Sequence, residues 1–524
     1  MRVLLINPPV KWVFEPWYDT PDFVRTGLAY VAGYLRQHAD CEIAIIDSKF
    51  ERLDFEQTLE RVKRFDPDVV GLTAFTNEIK PAALMAGMIK EWKPEACTVI
   101  GGVHVTALPK ETLDEFPEFD LAVFGEGEVT FAELIRALSA APLSTPDSSR
   151  LTPIDGLAFR ENETVRVNAP RTRVIDLDEI PFPAWDLLPS ARTYFLQVSR
   201  GCPFACKFCM NPNGKIARRR SIANVIEELE SVIDAHEPAE IWYGDEIFTV
   251  DVEFTKRLLR KKIERGIPES IKWSAVTHVR FLDAELLELM SASNVALIGL
   301  GIETGDEETL KRIGKGTTIE MISKARAQAK EHNVPITTYM IFGQPNETRA
   351  SIKKSIDLAV KLNPELPIFG IMVPYPGTEV SRLAARGEAG YRLLTQDWDA
   401  YNKQIGGALE FAALSRSQIE MLQIWAYIKV FLWNLRLKDL AAFIWEYRTA
   451  GLAVVRKIAT SLLRNLFAGR RERETSAPDR IHAPDNGHIE QAAKAWHDWQ
   501  VSELVRTKTQ NPGQYRYREK LKRS

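Results

Sequence analysis

Three of the five cysteines in this 524-residue chain, Cys202, Cys206 and Cys209, fall within eight consecutive positions. Their Cys-x3-Cys-x2-Cys spacing directly follows an apolar run, YFLQVS, that predicts a strand. Thiolates are soft ligands that select iron–sulfur clusters or zinc. Three thiolates in one short loop can bind three irons of a [4Fe–4S] cubane and leave the fourth iron open to a small molecule. We therefore predict that these cysteines are the metal ligands of a [4Fe–4S] cluster.

A structural zinc site is the alternative use of the same cysteines. Structural zinc takes four protein ligands, commonly from paired Cys-x2-Cys knuckles. The other two cysteines, Cys41 and Cys97, lie in or beside predicted strands far from the loop in sequence. The pattern favours the cluster over zinc.

The elements that must position this loop fall into two alternating series. In the first, short apolar runs alternate with helical stretches, which predicts an α/β, doubly wound (Rossmann-like) parallel sheet over residues 1–145. Its strands are VLLIN, EIAIID, DVVGLT, CTVIGG and DLAVFG. Ligands on such sheets bind beyond the carboxyl ends of the strands. The corresponding loops begin at Asn7, Thr73, Gly101 and Gly125.

The second series begins after a proline-rich connector, residues 146–190. Residues 191–394 contain six predicted strand–helix units, which favours a partial (β/α)6 barrel with its active site at the carboxyl ends of the strands. Residues 395–468 form a C-terminal helical region by their pattern. Residues 469–524 are polar and proline-containing, and we expect this tail to be partly disordered.

The cysteine motif, with the aromatic Phe208 before its last member, resembles the defining motif of the radical S-adenosylmethionine (SAM) superfamily. The resemblance implies that the open iron binds SAM and that one electron splits it to a 5′-deoxyadenosyl radical. It also implies SAM contacts that follow later strands. These are Tyr243, Gly244, Asp245 and Glu246 at the methionyl amine, Glu303 at the ribose, and Gly343, Val373 and Tyr375 at the adenine. Arg280 could face the SAM carboxylate or form a surface salt bridge.

Four segments ahead of the cysteines, NPPV, TAFT, GGVHVTALPKETL and FGEGEVTF, resemble the cobalamin-binding domain of cobalamin-dependent radical SAM enzymes. The resemblance implies cobalamin contacts at Thr73, Thr76, Gly101, Gly102, His104, Gly125 and Glu126. The Asp-x-His-x-x-Gly signature that supplies a cobalt ligand in many cobalamin proteins is absent. We therefore expect His104 to be a loop histidine, hydrogen-bonded to backbone or cofactor, and not a cobalt ligand. The resemblance covers about residues 1–390.

Taken together, these resemblances imply an enzyme that methylates an unactivated carbon through the 5′-deoxyadenosyl radical and methylcobalamin. The alternative is an oxidative cyclase or rearrangement enzyme of the anaerobic magnesium-protoporphyrin monomethyl ester cyclase type, without net methylation. A non-catalytic metal-binding or scaffold protein is the third reading. The enzyme readings imply a small-molecule or lipid-like substrate and a reducing electron donor of the flavodoxin or ferredoxin type.

Composition limits the binding partners and the cellular compartment that we expect for this chain. A formal charge of −3 gives no sign of a polyanion-binding surface, so we expect no nucleic-acid partner. No signal-peptide pattern and no membrane-length apolar run is present, which predicts a cytoplasmic protein with reduced thiols. Residues 421–467 combine tryptophans with lysines and arginines. Such helices can pack on the barrel, which we favour, or make peripheral membrane contact.

Overall fold

Two sheets in series, the first mixed and the second parallel, organise the computed structural model, which describes residues 1–10, 24–140, 148–402 and 407–446. The first sheet has seven strands in the order β2-β1-β3-β4-β5-β6-β7. The strands are β1 (Arg2–Asn7), β2 (Glu42–Asp47), β3 (Val69–Thr73), β4 (Cys97–Gly101), β5 (Leu121–Val123), β6 (Leu157–Glu161) and β7 (Thr164–Val167). Strands β1 to β5 pair in parallel, as their sequence pattern predicted.

Helices cover both faces of this sheet. They are α1 (Thr26–His38), α2 (Phe55–Phe65), α3 (Ile79–Trp92), α4 (Val103–Ala107), α5 (Pro109–Glu115), α6 (Gly127–Ser139) and α7 (Ser148–Leu151). Because side chains alternate across a strand, β1 buries Leu4 and Ile6 on one face and Val3 and Leu5 on the other. The predicted doubly wound domain is confirmed.

The segment that we expected to be a connector contains a hairpin of the first sheet. Strands β6 and β7 pair antiparallel to each other, and β6 pairs antiparallel to β5. Strand β7 is mostly exposed, so it lacks the apolar alternation by which a strand is recognised in a sequence. This part of the connector extends the first sheet.

The second sheet has six strands in the order β15-β14-β13-β12-β11-β8, and every neighbouring pair is parallel. These strands confirm the predicted partial (β/α)6 barrel. The strands of this region are β8 (Thr193–Leu196), β9 (Ser199–Arg200), β10 (Arg218–Arg219), β11 (Glu240–Tyr243), β12 (Lys272–Thr277), β13 (Val295–Glu303), β14 (Ile336–Phe342) and β15 (Leu366–Ile371). Its helices are α8 (Ile222–His236), α9 (Val252–Glu264), α10 (Ala284–Ala292), α11 (Glu307–Ile313), α12 (Ile319–Glu331), α13 (Arg349–Leu362) and α14 (Glu379–Ala385).

After the barrel the chain forms a small ribbon, β16 (Tyr391–Leu393) with β17 (Leu409–Phe411), and then α15 (Arg416–Trp433) and α16 (Leu437–Glu446). Helix α15 packs along the edge strand β15. The Tyr427 hydroxyl accepts a hydrogen bond from the Phe369 N–H at 3.1 Å, and Gln423 Nε2 donates to the Phe369 carbonyl at 2.6 Å. The helix therefore satisfies an edge that would otherwise present unpaired backbone groups.

These contacts confirm that α15 packs on the barrel. Among the described helices, none combines the length and apolarity that crossing a membrane requires. The last part of the predicted helical region 395–468, residues 447–468, and the predicted disordered tail 469–524 lie outside the described residues.

Residues 394–402, here called the return segment, lead the chain back onto the first domain. Trp398 and Tyr401 are buried in the apolar cluster on one face of the first sheet. Trp398 Nε1 donates to Glu115 Oε2 at 2.9 Å, and Lys80 Nζ lies 2.5 Å from Asp397 Oδ1. The first domain is therefore held to the barrel by the connector that precedes the barrel and by the return segment that follows it.

Candidate functional site

The three cysteines lie in a loop, residues 201–217, that strands β9 and β10 close at its base. We call it the cluster loop. The Cys202 N–H donates to the Gly214 carbonyl at 2.9 Å, and Asn211 Nδ2 donates to the Cys202 carbonyl at 2.7 Å. Gly201 has φ +99°, and a Cβ there would collide with the Ile216 carbonyl oxygen. The loop is therefore a folded unit that holds its thiols together.

Electrostatics shows that the thiols are neighbours. Desolvation by the surrounding protein raises the pKa of all three thiols, that of Cys206 to about 11, although Cys202 and Cys206 are half-buried residues and Cys209 is an exposed one. Cys206 and Cys209 raise the pKa of Cys202 further, so the three groups interact. Within the described residues, no three His, Cys, Asp or Glu side chains surround the position of a single ion. A [4Fe–4S] cubane does not require that arrangement, because each thiolate binds a different iron. The three cysteines therefore fit such a cluster as its ligands.

Aromatic stacking fixes the cluster loop against the end of β12. The Phe204 ring lies 4.4 Å from the His278 ring with an interplanar angle of 12°. His278 Nε2 lies 3.2 Å from the Lys315 carbonyl oxygen, and burial together with the nearby Lys315 ammonium lowers the His278 pKa to about 3. His278 is thus a neutral support of the loop.

The two carboxylates after β11 bond to the loop and to the end of β8. Asp245 accepts hydrogen bonds from the Val198 N–H at 3.2 Å and from the Ser199 hydroxyl, and burial raises its pKa to about 7. Glu246 accepts from the Gly201 N–H at 3.1 Å and from Asn213 Nδ2 at 2.6 Å. Both oxygens of each carboxylate already have protein partners. A contact with the methionyl amine stays a prediction.

The other two members of that motif are structural. The Tyr243 ring is 1% exposed and lies 4.7 Å from the Phe248 ring and 5.7 Å from the Trp273 ring, in the core between strands and helices. Its side chain is therefore part of the core, and the expected contact of Tyr243 with the methionyl amine stays a prediction. A Cβ on Gly244 would collide with the ring of Phe195.

A buried ion pair that the sequence did not single out lies beside the cysteines. Lys315 Nζ is 2.7 Å from Glu303 Oε1. Burial lowers the Lys315 pKa, but Glu303, Cys206 and Cys202 raise it more, so the ammonium stays charged. Gly314 and Gly316 on either side of it have φ of +72° and +70°. A lysine between two glycines after a predicted helix is the sequence signal that could have pointed to this turn.

Glu303 is itself held in an unusual conformation at the end of β13. Its φ is +67°, a left-handed value that costs free energy in a residue with a side chain and clusters at functional sites. A Cβ on Gly301 would lie 2.6 Å from Glu303 Oε1 and 2.6 Å from Lys315 Nζ. The glycine therefore makes room for the pair.

The residues expected near the adenine lie in two places. Gly343 has φ +90°, its N–H donates to Glu347 Oε2 at 2.6 Å, and a Cβ there would collide with the Phe411 ring. Val373 and Tyr375 belong to the apolar cluster of the first domain, together with Met210 of the cluster loop. Gly343 serves close packing at a turn, and Val373 and Tyr375 lie where the two domains meet.

A cleft of about 280 Å³ opens at the carboxyl ends of the first sheet. Its lining includes Thr73, Gly101, Gly102, Gly125 and Glu126, whose contact with cobalamin stays a prediction, and Phe195, Gln197, Arg200 and Asn213 from the entrance of the barrel. A Cβ on Gly102 would lie 2.6 Å from the Ala74 carbonyl oxygen. The cleft is thus lined by glycine turns of the first domain, of which Gly102 is closely packed, and by residues of both domains, so backbone can approach a bound cofactor there.

Thr76 and His104 do not line this cleft. Thr76 is buried at the start of a short 3-10 turn, Thr76–Glu78. The His104 ring lies 4.9 Å from the Trp398 ring, and Nδ1 has no hydrogen-bond partner among the described residues. Burial lowers the His104 pKa to about 3. Of the two partners expected for His104, backbone or cofactor, no backbone group bonds to Nδ1 in the part of the chain that the structure describes, and a bond to the cofactor stays a prediction.

Glu126, which we expected to contact cobalamin, forms an ion pair with the barrel. Arg218 Nη1 lies 3.0 Å from its Oε2, and Arg200 Nη2 lies 2.7 Å from Oε1 of the neighbouring Glu128. Tyr30 also lines the cleft, and its buried hydroxyl has no hydrogen-bond partner among the described residues. Tyr30, Glu128, Arg200 and Arg218 were not among the residues expected from the sequence. Glu128 lies in the FGEGEVTF segment, but its spacing did not distinguish it from a surface carboxylate.

Comparison with known proteins agrees with this geometry. Residues 196–359 match the model of the radical SAM superfamily, and residues 20–135 match that of the B12-binding domain. An uncharacterized methyltransferase, PH0819, of Pyrococcus horikoshii is 33% identical over 441 residues, which cover 82% of this chain and 93% of the relative. The anaerobic magnesium-protoporphyrin IX monomethyl ester cyclase of Rubrivivax gelatinosus is 26% identical over 419 residues, covering 77% and 72% of the two chains.

A solved structure shares the whole arrangement. The radical SAM methyltransferase TsrM from Kitasatospora setae, with cobalamin and a [4Fe–4S] cluster bound, superposes with a TM-score of 0.63 at 18% identity. The match covers 82% of this chain and 88% of TsrM. At this identity the likeness concerns the fold.

Proposed function

Because this chain belongs to the cobalamin-dependent radical SAM enzymes, we propose that it methylates an unactivated carbon of a small molecule. The observation that carries the proposal is the cleft, whose walls come from the glycine turns of the first domain and from the entrance of the barrel. A cofactor held there lies beside the barrel mouth at which the cysteines stand. When bound, the cluster and SAM supply a 5′-deoxyadenosyl radical, and cobalamin supplies the methyl group.

The protein's own groups have distinct tasks in this proposal. Cys202, Cys206 and Cys209 hold the cluster. The charged Lys315 beside Cys206 is placed to bind a carboxylate, and SAM carries one at the end that chelates the open iron. Lys315 bonds to Glu303 Oε1, and we assign the other oxygen, Oε2, to the ribose hydroxyls. Thr73, Gly101, Gly102 and Gly125 line the cobalamin cleft.

The experiment uses protein reconstituted anaerobically with the cluster and with cobalamin, a reductant of the flavodoxin or ferredoxin type, and SAM labelled with deuterium in its methyl group. A small-molecule extract serves as the pool of substrates. We expect a product that carries the labelled methyl group, formed together with 5′-deoxyadenosine. The Cys206→Ala variant is the control and should form neither. A labelled product that also forms with this variant would contradict the proposal.

The second candidate is a cyclisation or rearrangement without net methylation. The similarity to the cyclase of Rubrivivax gelatinosus favours it. The same experiment separates the two. A product that loses hydrogen and gains no label, formed together with 5′-deoxyadenosine, would support the cyclase type. If no 5′-deoxyadenosine forms at all, both enzyme readings fail and a scaffold role stands.

We also propose that the protein acts in the cytoplasm and touches a lipid surface through the corner between α15 and α16, which would suit a lipid-like substrate. There Trp433, Leu435, Leu437, Ile444 and Trp445 are between 57% and 85% exposed. Tryptophan-rich surfaces insert into the interfacial region of membranes. The full chain should float with vesicles that contain anionic lipid.

Replacing both Trp433 and Trp445 by serine should abolish this flotation. Leu84→Ser, which alters an exposed apolar side chain on α3, is the matched control and should float like the wild type. A wild-type chain that stays with the soluble fraction would remove the lipid contact and leave the methylation proposal untouched.

A further inference from the structure

Two arginines lie opposite each other at the base of the cluster loop. In the antiparallel pair of β9 and β10, Arg200 faces Arg218. Their side chains are only 7% and 2% exposed. Like charges directly across a strand pair are destabilising, and burial adds a desolvation cost. The two strands that close the loop therefore need counter-charges from elsewhere.

The counter-charges come from the first domain. Glu128 Oε1 lies 2.7 Å from Arg200 Nη2, and Glu126 Oε2 lies 3.0 Å from Arg218 Nη1. Burial raises the Glu126 pKa, but Arg218 and Arg200 lower it more, so the carboxylate stays ionised. Breaking a buried pair leaves an uncompensated charge, which is strongly unfavourable. The loop base and the turn after β5 must therefore move as one body.

The same side chains reach both cofactor sites. Glu126, Glu128 and Arg200 line the cleft of the first domain. On the other side, Arg218 Nη2 donates to the Asn213 carbonyl at 3.3 Å, and Asn213 Nδ2 donates to Glu246 at 2.6 Å. Glu246 in turn accepts from the Gly201 N–H, which directly precedes Cys202. A continuous set of charged and hydrogen-bonded groups thus runs from the cleft to both ends of the cluster loop.

We infer that the pairs Glu126–Arg218 and Glu128–Arg200 are positioning residues that couple the two cofactor sites. A molecule that orders the turn after β5 also orders the base of the cluster loop, so the second cofactor meets a smaller entropic cost. Such coupling is reciprocal by thermodynamic linkage. The inference rests on the cofactors of the family and holds whether the reaction is a methylation or a cyclisation.

The test measures the dissociation constant of hydroxocobalamin by equilibrium dialysis, on the full-length chain with and without the reconstituted cluster. We expect the cluster to tighten cobalamin binding roughly 5-fold or more in the wild type. Glu126→Gln and Glu128→Gln, made separately, should bring the ratio of the two constants towards one. Asp397→Asn is the matched control, because it removes one carboxylate charge from the exposed pair with Lys80, which also joins the first domain to the rest of the chain. It should keep the wild-type ratio.

A wild-type ratio of one overturns the inference whatever the variants do, and so does a wild-type ratio retained by both glutamine variants. If these variants do not fold, the electron paramagnetic resonance signal of the reduced wild-type cluster, recorded with and without cobalamin, decides. A signal that changes when cobalamin binds supports the coupling, and an identical signal contradicts it. Neither result depends on finding the substrate.

Discussion

Lys315 Nζ lies 2.7 Å from Glu303 Oε1 in a buried ion pair at the carboxyl end of β13. The pair lies close to the cysteines, so that Cys206 and Cys202 both raise the pKa of the lysine. Positive charge at this place suits an anionic group of the bound cofactor. It also balances the thiolates that a cluster requires.

Replacing Lys315 by methionine should weaken SAM binding about 10-fold or more, equivalent to ~1.4 kcal/mol. It should also lower the free energy of unfolding by about 3–5 kcal/mol, because Glu303 is left buried and unpaired. Lys311→Met is the matched control, since Lys311 lies on the preceding helix and pairs with Glu308 at an exposed site. Equal SAM affinity of the two variants, measured by equilibrium dialysis, would refute the role of Lys315.

Replacing any one of Cys202, Cys206 and Cys209 by alanine should abolish reductive cleavage of SAM. Two thiolates leave a second iron without a protein ligand, so the cluster content should fall as well. Iron, acid-labile sulfide and 5′-deoxyadenosine are the measurements. Cys41→Ala, which alters a half-buried thiol outside the site, should keep all three at the wild-type level. Wild-type cleavage by a loop variant, or stoichiometric zinc without sulfide in the wild type, would contradict the cluster.

His104 should make the cofactor-free protein less stable in mild acid. Its folded pKa of about 3 lies below the unfolded value of about 6.5, so the unfolded chain binds the extra proton. The stability is fully present above pH ~6.5 and is lost as the pH falls towards about 3. Between pH ~7.5 and ~5.5 this loss amounts to about 1.4 kcal/mol. His104→Phe should lack it when denaturant unfolding is compared at the two pH values. An equal loss in both proteins would show that another group is responsible.

Replacing Tyr427 by phenylalanine should loosen the edge of the barrel. The Phe369 N–H then loses the oxygen that accepts its hydrogen bond, at a cost of about 1 kcal/mol. Hydrogen exchange at the Phe369 amide should become about fivefold faster, while Ile424→Val on the same helix should leave it unchanged. Unchanged exchange in Tyr427→Phe would mean that the ring alone, and not the hydroxyl, covers β15.

The parts of this molecule that were predictable from sequence are local ones. The cysteines lie in one loop next to a strand, so their spacing alone defines a donor set. The parallel strands of both sheets are short apolar runs, and their parallel order follows from the alternation with helices; the antiparallel hairpin of β6 and β7 was not predictable in this way. Asp283 and Ser221 cap the starts of α10 and α8, as short polar side chains do.

The residue roles that could not be predicted from sequence depend on contacts between residues far apart along the chain. Glu126 stands in a glycine turn at the ligand-binding end of a strand, and its partner Arg218 follows 92 residues later. Nothing near either residue tells whether the carboxylate faces a cofactor or a guanidinium. The same holds for His104, whose environment is set by Trp398 from the return segment. Long-range burial decides these roles.

The return segment makes the chain hard to divide. Trp398 and Tyr401 follow the barrel in sequence, yet the first domain covers them to 3% and 1% exposure. A fragment that starts after the first sheet would expose two aromatic rings to solvent. The first domain alone would lack part of its apolar core. The cobalamin-type domain is therefore interleaved with the barrel and is not an exchangeable cassette. Transplanting it between relatives would require carrying residues 394–402 along.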